Sequence, residues 1–184
     1  MNRAQGPKIA TIVLFVVITG VAVWYFGVRS TPNSTNVISS SIATKTIHLT
    51  YPTTWKSVSA TTVHGAPSNA IIVLQRTDKS GVLVVLPGGK APPLNAISSN
   101  KISSELATSY KDYKFVNAAI INLKGKHALF ITYLRTKQGD LHTVTILPVG
   151  QRSFDIETAS PSANGQLGVE IGKILKSVTI TSSP

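Results

Sequence analysis

No cysteine occurs among the 184 residues. Disulfides, thiolate nucleophiles, cysteine metal sites and a lipidated N-terminal cysteine are therefore excluded. Negative charge is scarce. Asp and Glu total 7 against 18 Lys and Arg, for a formal net charge of +11. No internal repeat, sustained heptad or Gly-x-Ser-x-Gly elbow is present. Gly88-Gly89-Lys90 falls short of a phosphate loop, because the earlier Gly and following Ser/Thr positions hold Val84 and Ala91. A platform of stacking aromatics is also missing, so nucleic acid is not an expected partner.

Charge is absent again from Ile9 to Val28, and here the absence is informative. These 20 residues include twelve Ile, Leu, Val or Phe. As a helix they would span ~30 Å, the thickness of a bilayer's hydrocarbon core. Their apolar side chains favour insertion by about 4–7 kcal/mol, before the polar and Gly terms. Trp24 and Tyr25 stand near the far end, where aromatic rings settle at the headgroup level. The stretch is longer than a signal peptide's usual ~7–15 apolar residues, and no small-x-small site immediately precedes Arg29. It reads as an uncleaved signal anchor and implies a bilayer as partner. Arg3 and Lys8 orient residues 1–8 to the cytoplasm and the remainder outward.

Residues 29–46 follow as a Ser/Thr-rich spacer that buries little apolar area. Residues 47–184 are long enough for one packed core. Ile47, Leu49 and Tyr51 alternate as a strand ending at Pro52. Ala70–Arg76 and Val82–Leu86 predict a hairpin stopped by Pro87-Gly88-Gly89. Ser98 or Ser99 caps a helix whose stripe is Ile102, Leu106 and Tyr110. Strands follow at Phe115–Leu123, His127–Arg135, Leu141–Val149 and Arg152–Ala159. Both alternating sets of His127–Arg135 are largely apolar, which demands a layer on each side. A second helix, about Ala163 to Lys176, buries Leu167, Ile171, Ile174 and Leu175, and sets Glu170 and Lys173 in water as a pair. The expected class is α+β: an antiparallel sheet with two packed helices, preceded by one transmembrane helix.

Tyr51-Pro52-Thr53-Thr54-Trp55, Tyr110-Lys111-Asp112-Tyr113, Gly125-Lys126-His127-Ala128 and Ile174-Leu175-Lys176-Ser177-Val178 occur in this order. Together they resemble the PsbP-like family, within the Mog-type fold of small α/β/α sandwiches. The family's members include extrinsic photosystem II subunits and bacterial membrane-anchored envelope proteins. The resemblance implies a non-enzymatic docking or assembly domain without a cofactor. It also implies that Trp55 packs back on the core.

Three kinds of candidate site compete with this reading. His48, His64, His127 and His142 are scattered; pairing through the Lys137–Asp140 turn would set His142 opposite Arg135, so no metal site is expected. Asp155 and Glu157 share a strand face, about 7 Å apart by strand rise, and would carry a cell-surface hydrolase if the domain were an enzyme. Lys111, Lys114, Arg135 and Lys137 gather at one sheet end as a binding edge for a protein or an anionic envelope polymer. The expectation is a cell-membrane, single-pass protein with an extracytoplasmic binding domain. A hydrolase, or an assembly factor of a photosystem II-like membrane complex, are the alternatives.

Overall fold

The strands predicted from alternation assemble into two antiparallel sheets. In a computed structural model of the chain, described for residues 35–94, 97–161 and 164–182, the order is β1 (Thr35–Ile42), β2 (Lys45–Pro52), β3 (Trp55–Ser57), β4 (Ile72–Arg76), β5 (Val82–Lys90), α1 (Ser99–Ser109), β6 (Tyr113–Leu123), β7 (Lys126–Arg135), β8 (Asp140–Val149), β9 (Arg152–Pro161), α2 (Gly165–Ser177) and β10 (Thr179–Ser182). One sheet has the order β1-β2-β10, the other β3-β4-β5-β9-β8-β7-β6. The expected transmembrane segment, residues 9–28, lies outside the described residues, as does the basic N-terminus.

Both faces of the large sheet are covered, as the doubly apolar β7 requires. On one face α2 inserts Leu167, Ile171, Ile174 and Leu175 against Ala128, Leu147, Phe154 and Ile156, with Ile47 and Leu49 of β2 in the same cluster. On the other face α1 lays Ile102 and Leu106 over Leu129, Ile131 and Tyr133. Further along that face, Val63 of the loop joining β3 to β4 covers Val73 and Val84. Between α1 and this loop the sheet floor stays open.

Local chemistry sets the boundaries. Ser98 Oγ accepts from Lys101 N at 3.3 Å and caps α1, and Asn164 Oδ1 accepts from Leu167 N at 3.1 Å and caps α2. Lys124 and Gly125 both take positive φ (48° and 84°), the tight two-residue turn whose twist matches β6 and β7. Trp55 is 1% exposed, so the aromatic of the Tyr-Pro-x-x-Trp segment does pack on the core.

Four expectations are corrected. Thr35–Ile42 is β1 and not spacer: it pairs with β2 along its whole length, Thr35 opposite Pro52 and Ile42 opposite Lys45. Ser and Thr there face solvent on an edge strand while Ile42 is buried, a pattern that composition alone reads as linker. Pro87-Gly88-Gly89 does not stop β5, which continues through an irregular pairing with β9 between Pro87 and Lys90. His142 lies opposite Tyr133, because the turn pairs Arg135 with Asp140. Glu170 does not share the solvent with Lys173. Its carboxylate accepts from Trp55 Nε1 at 2.8 Å and Arg76 Nε at 3.1 Å.

Candidate functional site

The open floor is built by β8 and β9, where alternation sends His142 and Val144, and Asp155 and Glu157, to the α1 side of the sheet. Val144 pairs with Glu157 and Ile146 with Asp155. Both carboxylates are half-buried. Burial pushes each above the ordinary carboxylate range; for Glu157 the nearby Asp155 charge adds to the effect, and for Asp155 a hydrogen bond from Ser153 Oγ at 2.7 Å opposes it.

The two acids have different surroundings. Asp155 is tucked beneath β5, where a Cβ on Gly88 would stand 2.5 Å from Asp155 Oδ1 and 2.0 Å from Ser153 Oγ. The missing side chain of Gly88 is the space that these two side chains occupy. Glu157 instead lines two recesses. The larger, about 380 Å³, lies between the β3–β4 loop and the β7–β8 turn, with His64, Pro67, Arg135, Asp140 and His142 around it. The smaller, about 250 Å³, runs under α1 past Glu105, Leu106, Tyr110, Tyr133 and Val144. Asp155 lines neither.

An aromatic ladder divides the recesses. Tyr110 stacks on Tyr133 at 5.7 Å between centroids and 20°, and Tyr133 on His142 at 5.2 Å and 17°. Arg135 caps the ladder, its guanidinium 4.6 Å from the Tyr110 centroid. Burial keeps the Tyr133 phenol protonated and lowers His142 below the usual imidazole range, the nearby Asp140 partly opposing. The imidazole is therefore neutral at pH 7.

The expected basic edge is only partly assembled. Arg135 is held by Asp112, Nη2 to Oδ1 at 2.9 Å, and its guanidinium keeps that carboxyl below the ordinary range. Lys137 lies near enough to add to that depression, and Lys111 is exposed beside it in sequence. Lys114 is exposed but follows Tyr113, whose hydroxyl hydrogen-bonds Ser103 of α1, so alternation points Lys114 to the opposite face. Sequence reasoning missed His64, Glu105 and Asp140 as cleft groups. Loop and helix positions have no period that reports which strand they will cover. Among the described residues, no three of His, Cys, Asp or Glu converge as metal ligands.

No family model and no curated protein matches the chain. Solved structures do. The solution structure of cyanobacterial PsbP (CyanoP) from Synechocystis aligns with a TM-score of 0.54 at 14% identity, covering 85% of this chain and 99% of that one. The fold is PsbP-like. LpqN, described as involved in cell envelope biogenesis of Mycobacterium tuberculosis, aligns at 0.46 and 14% identity over 98% of this chain and all of its own. A Bacteroides thetaiotaomicron protein aligns at 0.45 and 12% identity over 80% of this chain and 48% of that one. At such identities the likeness establishes the PsbP-like architecture and no activity.

Proposed function

We propose that this chain is a non-enzymatic, single-pass membrane protein whose PsbP-like domain stands outside the cell interior and docks a protein partner in the cleft over Glu157. The position of Glu157 in the lining of both recesses carries this reading. A hydrolase would need both carboxylates across one cavity, with room for a sugar and a water. Asp155 lies under the β5 irregularity and lines neither recess, so its neighbour is left to bind rather than to share acid–base work. The acids of the cleft also favour a protein over an anionic polymer. The uncharged stretch Ile9–Val28 supports the tether, and the basic residues before it support the outward orientation.

Photo-crosslinking amino acids placed at Ala66 and Gln138, on the cleft rim, test the docking site in intact cells. Both should yield the same discrete protein adduct, and the same probe at Lys173 on α2 should not. Equal adduct patterns from all three positions would refute the site. External protease should degrade the domain in intact cells; protection would refute the topology.

A further inference from the structure

The charge of the cleft is opposite to that of the chain. Against a net charge of +11, the recesses are lined by Glu105, Asp140 and Glu157 and by one cation, Arg135. Arg135 is already neutralised by Asp112 and stacked on Tyr110. Among the described residues Glu157 receives no hydrogen bond from the protein, although it is half-buried and lines both recesses. A carboxylate so placed is free to accept a donor from outside the domain. The walls beside it are apolar and aromatic: Val63, Val82 and Val84 on one side, Leu106, Tyr133 and Val144 on the other. An alkyl stem that ends in a cation meets both demands, because it packs along apolar surface while its head stays with charge. A divalent metal does not suit the cleft, since no three ligands converge among the described residues.

We infer that the cleft takes a lysine side chain from an extended segment of the partner, its ammonium group on Glu157 and its stem along the wall formed by Tyr133 and Val144. Glu157 borders both recesses, so the residues flanking the anchoring lysine have a recess on either side of the aromatic ladder. Negative charge at the cleft meets positive charge on the segment, and the basic remainder of the domain repels that segment from other docking sites. The inference rests on the docking reading and specifies its ligand.

The test uses the full chain in lipid nanodiscs with methyl-labelled Val, titrated with the capped peptide Ac-Ala-Lys-Ala-NH2. The methyls of Val84 and Val144 should shift saturably. The same peptide with norleucine in place of lysine should bind at least about tenfold more weakly, the loss expected for one charge-assisted hydrogen bond. Glu157→Gln, which keeps the side-chain volume, should raise the Kd for the lysine peptide about tenfold and leave the methyl dispersion native. Asp140→Asn should raise it by a smaller factor. Free cadaverine should bind more weakly than the peptide. Equal binding of lysine and norleucine peptides, an unchanged Kd in Glu157→Gln, or cadaverine matching the peptide would each overturn the assignment. Any of these with the rim crosslinks retained removes the lysine and leaves the docking site. Loss of those crosslinks removes the docking site itself.

Discussion

Replacing Glu170 by Ala separates two incompatible pictures of α2. If Glu170 and Lys173 formed an exposed helical pair, the substitution would cost only about 0.2–0.5 kcal/mol. The structure instead puts the carboxylate, 13% exposed, under the indole of Trp55 and against Arg76, whose side chain is 16% exposed. A hydrogen bond from an indole to a charged acceptor contributes about 1.5–3 kcal/mol. Stranding one member of a fully buried pair costs about 3–5 kcal/mol. The pair here is partly solvated, Arg76 keeps Asp78 as a second partner, and contributions within one network do not add. A loss of about 3 kcal/mol is therefore expected for Glu170→Ala. Glu170→Gln preserves an acceptor for Trp55 without the charge and should lose about 1–2 kcal/mol. Lys173→Ala, on the exposed side of the same helix, should stay within about 0.5 kcal/mol of the parent. Urea unfolding of the full chain at 25 °C, followed by tryptophan fluorescence and circular dichroism, measures all three. A Glu170→Ala loss no larger than that of Lys173→Ala would refute the buried network and, with it, the seat of Trp55 against α2.

Two further outcomes follow from the cleft face. Gly88→Ala drives a methyl into Ser153 Oγ and Asp155 Oδ1 and should cost about 1–3 kcal/mol in the same unfolding assay; a neutral result would show that the Ser153 and Asp155 side chains are not held over Gly88. Stability should depend on pH in two opposed ways. Asp155 and Glu157 are raised above their unfolded values, so the folded state binds their protons more tightly and stability increases as pH falls from neutral toward the ordinary carboxylate range near 4. Asp78 and Asp112 are lowered, so the stability they confer is complete above their unfolded values and is lost as pH falls through their depressed ones. The double variant Asp155→Asn, Glu157→Gln should abolish the rise and keep the later fall; retention of the rise would remove these two acids as its source.

Much of the fold was legible because burial leaves a periodic trace. The two-sided apolar run of β7 called for layers on both faces, and α1 and α2 supply them. Ser98 as a cap and the Lys124-Gly125 turn follow from local chemistry, which acts within a few residues. β1 was not legible: its Ser and Thr residues are those of a spacer, and only pairing with β2 makes them a strand. The partnership of Glu170 with Trp55 spans 115 residues, a separation at which no sequence period operates.

The sequence alone therefore determined the alternation of strands, the caps and turns, the two amphipathic helices and the uncharged stretch at Ile9–Val28, because each depends on neighbours a few positions away. Only the tertiary structure decided that Asp155 is tucked under β5 while Glu157 opens into the cleft. Both residues sit on the same strand face and obey the same period. What distinguishes them is the strand, helix and loop that the fold lays above each one.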